Sequence, residues 1–349
     1  MGCNYDRAVT RMRGLIFGLS LMWLTSCSSS NPKGTPVAIP SPLGLPPLVI
    51  PADNPPTSET IALGKELYFS RVLSVDGTLS CASCHDPENG FADPRRVSAG
   101  VHGKLGTRNA PTILNAAFNK LQFWDGRADG LEAQVSGPML NSLEMGHTLE
   151  GIERGVAASD HLRPMFEKAF GSGRPTMEKI TKAIASFERT LLSGNSPFDR
   201  YQYAGDRDAL GDSAKRGLAV FRDPEKGNCV VCHAIEAGYA LFSDGKFHNL
   251  GVGLSPEGEL TDLGRYEVTR QDKDKGAFRT PSLRNVAKTA PYMHDGSLET
   301  LKEVVDFYVG GGSSNEFLDR QIKPLTHLTQ QERADLVAFL ESLSGEAAK

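Results

Sequence analysis

Two short segments repeat one pattern, Cys81-Ala82-Ser83-Cys84-His85 and Cys229-Val230-Val231-Cys232-His233. Two thiols at this spacing can each add to a vinyl group of one haem, and the histidine that follows then reaches the iron. Two other chemistries compete for the same residues. Four cysteines in an exported chain suit two disulfides, and thiolates with imidazole suit zinc. A disulfide has no use for the following histidine. Zinc would find only two thiolates and one strained imidazole in each segment, with nothing nearby to complete a tetrahedron. The expectation is two covalently bound haem c groups, attached through Cys81, Cys84, Cys229 and Cys232 and ligated by His85 and His233.

Each motif needs a fold that wraps a flat macrocycle. His85 and His233 lie 148 residues apart, about one domain length, so the chain reads as a repeated one-haem unit. The predicted fold class is mainly α, with two cytochrome c-like domains (57–205 and 206–349) and long irregular loops. Ile180, Ile184, Phe187 and Leu191 recur at helical spacing, and Thr329 with Glu332 forms a capping box ahead of Leu336, Val337 and Leu340. Few stretches alternate at the strand period. The 36 glycines and 21 prolines require long loops between the helices.

The N-terminus reads as a delivery segment. Arg7, Arg11 and Arg13 precede an apolar run from Leu15 to Leu24 that is too short to span a membrane. Leu24-Thr25-Ser26-Cys27 resembles the lipobox of bacterial lipoproteins, which makes 1–26 a signal peptide and Cys27 the acylated first residue. An ordinary secretory signal is the alternative. Residues 27–56 read as a proline-rich tether, nine of the 21 prolines falling between Asn31 and Pro56. This reading places the protein in the periplasm, touching the membrane only through its lipid. With 38 Lys plus Arg against 42 Asp plus Glu and no basic stripe, nucleic acid is excluded as a partner.

From Ser58 to Leu343 the chain resembles the bacterial di-haem cytochrome c peroxidases and their relative MauG. The likeness rests on Thr107-Arg108-Asn109-Ala110-Pro111-Thr112, Gln122-Phe123-Trp124-Asp125-Gly126-Arg127, Phe278-Arg279-Thr280-Pro281-Ser282-Leu283-Arg284-Asn285 and Ala290-Pro291-Tyr292-Met293-His294-Asp295-Gly296. It implies a peroxidatic N-terminal haem, and a C-terminal haem that takes electrons from a small periplasmic cytochrome or copper protein. It also implies catalytic roles for Glu144 and Gln134, with Pro138 beside them, and an electron-relaying role for Trp124 between the haems. Asn109, Thr289 and Pro291 match an inter-haem calcium site, and oxygen donors suit that hard cation. The family is often dimeric, so a homodimer is one implied arrangement.

One departure matters most. The peroxidases usually have a methionine as second axial ligand of the C-terminal haem, 14 residues after the histidine matching His294; here the residue is Tyr308. Leu298, Leu301, Val304, Val305 and Tyr308 share a helical face before Gly310-Gly311-Gly312. MauG has a tyrosine at this position, so the resemblance implies His233/Tyr308 ligation of the second iron; a core tyrosine is the other reading. His102 lies near the loop histidine that blocks the resting iron in some members, or is simply a solvent-exposed loop residue. His248, His294, Arg279 and Arg284 are candidates for holding haem propionates. MauG's tryptophan beside its second motif would fall at Gly227. The leading expectation is reduction of hydrogen peroxide to water. A MauG-like oxidase of a partner protein and a non-enzymatic di-haem electron carrier are the rivals.

Overall fold

The computed structural model describes residues 30–347; the signal segment and Cys27 lie outside them. The helices are α1 (Ser58–Phe69), α2 (Gly130–Leu140), α3 (Leu149–Ala158), α4 (Leu162–Phe170), α5 (Met177–Glu188), α6 (Pro197–Tyr203), α7 (Asp212–Arg222), α8 (Tyr266–Thr269), α9 (Leu301–Val309) and α10 (Gln330–Glu341). Extended structure among the described residues is limited to antiparallel ladders of two or three residues and single bridges, so the chain is mainly α as expected. Local chemistry sets the helix starts. Thr57 caps α1, Thr300 caps α9 and Thr329 caps α10, each in a reciprocal capping box with the residue three positions on. No described helix is long and apolar enough to cross a membrane.

The repeat is visible as one helix crossing built twice. In the N-terminal half α1 meets α5 at Gly64, where a Cβ would run into the Ala183 carbonyl and the Phe187 side chain. In the C-terminal half α7 meets α10 at Gly217, where a Cβ would run into the Asp335 carbonyl and Phe339. Only glycine permits backbones this close. Behind each crossing lies a separate core: Leu63, Leu67, Ile152, Phe166 and Ile180 in one, and Phe198, Phe221, Phe242, Phe339 and Leu343 in the other.

Phe198 of α6 packs edge-on against Phe242 and Phe339, at ring-centroid distances of 5.1 and 5.8 Å, so α6, inside the expected 57–205, lends its aromatic side chain to the C-terminal core. The expectation of a free proline-rich tether needs correction. Lys33 donates its backbone N–H to Ala169 of α4 at 2.8 Å, and the Leu43 carbonyl accepts from Asn195 at 2.8 Å. The Gly44 carbonyl accepts from the Ala240 backbone at 3.0 Å and from Arg284 at 2.5 Å. From Lys33 onward the segment is a strap across both domains. Proline suits it because extended backbone with few donors can lie on a surface without leaving buried N–H groups unpaired.

Candidate active site

The two Cys-x-x-Cys-His segments fold alike. Each is a single 3₁₀ turn closed by the histidine backbone, His85 N–H bonding Cys81 O at 2.9 Å and His233 N–H bonding Cys229 O at 2.8 Å. All four cysteines are free thiols, which excludes the disulfide reading. Burial pushes Cys81 and Cys229 each up to about 12. The imidazoles are oriented by backbone carbonyls: His85 Nδ1 lies 3.0 Å from Pro111 O, and His233 Nδ1 lies 2.8 Å from Phe242 O. With Nδ1 held in this way, each ring can present Nε2 to an iron, as a haem-ligating imidazole does. The donor set therefore fits haem c at both motifs.

Around the first motif, α2 carries Gln134 and Pro138, and the turn that follows carries Glu144. The turn folds back because Met145 N–H bonds Pro138 O at 3.1 Å and Val101 N–H bonds Glu144 O at 2.8 Å. Burial raises the Glu144 pKa, while a 2.6 Å bond from Asn141 Nδ2 and the positive charge of Arg127 hold the rise back. Arg127 itself lies over the Phe123 ring, 3.5 Å from its centroid. The Gln134 side chain makes no hydrogen bond among the described residues, so its amide is available to a ligand. His102 does not join this group. It is exposed, at a left-handed φ of 57°, with Nδ1 3.7 Å from Asp76, which matches the solvent-exposed reading.

Around the second motif, Tyr308 is near the end of α9, where the glycines terminate the helix as its spacing predicted. The helix begins at Leu301, one turn later than Leu298, because Thr300 is the cap. Burial raises the Tyr308 pKa, and the neighbouring Cys229 and Cys232 sulfurs raise it further. Its hydroxyl has no protein partner among the described residues. The structure thus brings Tyr308 to the second motif and leaves its oxygen free.

Trp124 bridges the halves. Its Nε1 donates to Asn109 O at 2.9 Å, Asn109 N–H donates to His294 O at 2.8 Å, and Arg279 N–H donates to Trp124 O at 2.8 Å. Arg108 reinforces the seam with bonds to Asp262 at 2.7 and 2.8 Å and to Asp125 at 2.6 Å.

Comparison with known proteins gives this geometry its context. Residues 58–208 match the family model for di-haem cytochrome c peroxidase, and 214–344 match that for cytochrome c. The methylamine utilization protein MauG of Methylophilus methylotrophus is 39% identical over 304 residues, covering 86% of each chain. The cytochrome c551 peroxidase of Pseudomonas aeruginosa is 38% identical over 297 residues, covering 84% of this chain and 81% of the relative. The chain belongs to the di-haem cytochrome c peroxidase family. A solved MauG-like protein associated with microbial copper homeostasis superposes with a TM-score of 0.78 at 34% identity, over 87% of this chain and 95% of that one. The diheme peroxidase BthA of Burkholderia thailandensis does so at 0.70 and 25% identity, over 86% and 94%. Membership makes this an oxidoreductase that uses hydrogen peroxide and has two c-type haems.

Of the residues expected to hold propionates in this peroxidase, Arg279 fits and two others do not. Arg279 is buried with no carboxylate in ion-pair reach among the described residues, and burial alone lowers its pKa to about 10. Such a cation calls for an anionic ligand. Arg284 is instead committed to a buried pair with Asp199, with two bonds of 2.9 Å, and to the Ala240 and Gly44 carbonyls. His248 is neither on the surface nor free, since Asp319 and Asp244 take its two ring nitrogens at 2.6 and 3.1 Å. His294 is buried and stacks on Phe278, with ring centroids 3.6 Å apart. At Gly227 a Cβ would come within 2.6 Å of the Val220 carbonyl, so this backbone has no room for a tryptophan. Sequence reasoning missed Arg127, although it lies in a quoted motif, and Asn141, which stands only three residues before Glu144.

Proposed function

We propose that the protein reduces hydrogen peroxide to water at the N-terminal haem, with electrons that a small periplasmic redox protein delivers through the C-terminal haem. The supporting observation is the asymmetry between two otherwise repeated domains: Glu144, held by Asn141, and Gln134, with an unbonded side chain, stand beside the first motif, and Tyr308 beside the second. The haems supply the irons that bind peroxide and exchange electrons. The protein's own work is to hold and move protons. Glu144, with its raised pKa, is suited to carry a proton from one peroxide oxygen to the other. Asn141 and Arg127 orient it, and the Gln134 amide would donate to a peroxide oxygen. Trp124, fixed at both its indole and its carbonyl, offers a rigid aromatic path between the halves. A six-coordinate electron carrier would have no use for a half-buried acid and an amide on one side. Steady-state oxidation of reduced cytochrome c by peroxide tests the proposal; absence of turnover with every cytochrome and copper donor tried would refute it.

A second reading, MauG-like oxidation of a partner protein, is favoured by Tyr308, since a hard phenolate supports higher-valent iron. The packed Gly227 removes the relay that MauG uses. A mass change in a co-expressed partner, dependent on peroxide, would separate the two. Calcium would be held by Asn109 Oδ1 with the Thr289 and Pro291 carbonyls. The Asn109 amide nitrogen is already engaged with Arg95 O at 3.0 Å, which leaves the oxygen for a cation. Export with acylation at Cys27 is read from the sequence alone, and mass spectrometry of the mature N-terminus tests it.

A further inference from the structure

Glu188 closes α5 and is 5% exposed. Its Oε2 atom is fully buried and meets no hydrogen-bond donor, which is rare for a carboxylate inside a protein. Arg189, next in the chain, is turned away and forks onto Glu132 at 2.7 and 2.9 Å. No cation forms an ion pair with Glu188 among the described residues.

Its surroundings are those of the first haem motif. Phe187 packs on Tyr68 with ring centroids 5.3 Å apart, in one apolar cluster with Cys81, Ala82 and Phe91. Tyr68 in turn donates to the His85 carbonyl at 2.6 Å. A negative charge on Glu188 would be felt at both Tyr68 and Cys81.

We propose that Glu188 is a redox-linked proton site of the N-terminal haem, taking up one proton when an electron arrives there and releasing it when the electron departs. The electron comes from the donor of the peroxidase reaction and the proton from bulk water. An O–H bond forms on the Glu188 carboxylate and is broken when the electron moves on to peroxide, so the buried charge around the haem stays constant. A low-dielectric site strongly disfavours an uncompensated charge, and a nearby acid that titrates removes that cost.

The groups facing Glu188 leave it as the one able to respond. Burial raises Tyr68 of α1 far above the physiological range. Cys81 becomes a thioether in the haem protein. Glu132 of α2, although partly buried, is kept ionised by Arg189 and Asn54. Burial pushes Glu188 up to about 8, Arg189 opposing the shift and Glu132 adding to it, so the exchange operates from about that pH upward and the acid is neutral in both redox states below it.

The test uses the holoprotein and rests on the proposed function only in taking the N-terminal haem as redox-active. Spectroelectrochemical titration should show the midpoint of that haem falling by up to about 59 mV for each tenfold loss of protons as pH rises above about 8. Glu188→Gln should flatten this slope while both haems and their spectra are retained. Infrared redox-difference spectra of the wild type should show a protonated-carboxyl band that shifts in D2O and is missing in the variant. A wild-type midpoint independent of pH, a variant that keeps the slope, or a wild type without the band would each overturn the proposal. Should the variant fail to assemble, the wild-type infrared spectrum decides alone. Peroxide turnover on the same samples reports separately on the peroxidase reading.

Discussion

Arg279 allows a prediction whose sign reverses between two forms of the protein. The guanidinium is 8% exposed and makes only long contacts, to Phe123 O at 3.4 Å, Asn119 Oδ1 at 3.2 Å and Thr280 O at 3.3 Å. Its pKa falls from 12.5 to about 10. That difference corresponds to a penalty of about 3 kcal/mol on the charged form. The folded pKa of this base is depressed, so the penalty is present in full below about pH 10 and disappears above the unfolded value. At neutral pH a protein without the second haem therefore carries all of it. Arg279→Met keeps an apolar stem and removes the charge. In a Cys229→Ala/Cys232→Ala background, which lacks that haem, it should stabilise by about 1–3 kcal/mol. If Arg279 holds a propionate in the holoprotein, the same substitution should destabilise by about 2–5 kcal/mol there because it orphans that carboxylate. Denaturant unfolding followed by circular dichroism measures both. Equal signs in the two backgrounds would show that Arg279 holds no propionate.

Three further substitutions follow from the site. Glu144→Gln should retain both haems and lose turnover by roughly 100-fold or more, read from steady-state kinetics; unchanged turnover would mean that the O–O bond breaks without this acid. Tyr308→Met should leave the fold nearly intact, since Met is flexible and adapts to irregular apolar space, yet the fully ferric variant should react poorly with peroxide in stopped-flow where the wild type reacts readily. Arg284→Met should destabilise by about 3–5 kcal/mol by leaving Asp199 buried and unpaired, with the thermal midpoint as readout and peroxide chemistry on the folded fraction unchanged.

What was legible in the sequence is what depends on short spacing. The haem motifs are five-residue units, the Thr329–Glu332 box spans one turn, and Tyr308 follows from a helical stripe, so each reads the same in the chain as in the fold. The strap was not legible. Its partners Ala169, Asn195, Ala240 and Arg284 lie more than 100 residues away, and a proline-rich stretch has the same local conformation free or docked. Arg284 was misread for the same reason, because Asp199 is 85 residues distant.

Glu188 marks a different limit. The stripe Ile180, Ile184, Phe187, Leu191 describes a helix with one buried face, and by that rule a glutamate between Phe187 and Arg189 belongs in water. In the fold α5 is covered by α1 on one side and α2 on another, and every residue from Lys179 to Glu188 is buried. Its polar residues must then be settled one at a time. Lys182 reaches Glu178 at 3.0 Å, Ser186 bonds the Lys182 carbonyl at 2.8 Å and Arg189 takes Glu132, but Glu188 Oε2 is left with no donor. A fold that pairs its neighbours and leaves this acid unpaired beside a haem retains a local conflict that simple burial would remove. A neutral acid resolves that conflict only while it keeps its proton, and this dependence on protonation ties Glu188 to the charge of the iron site.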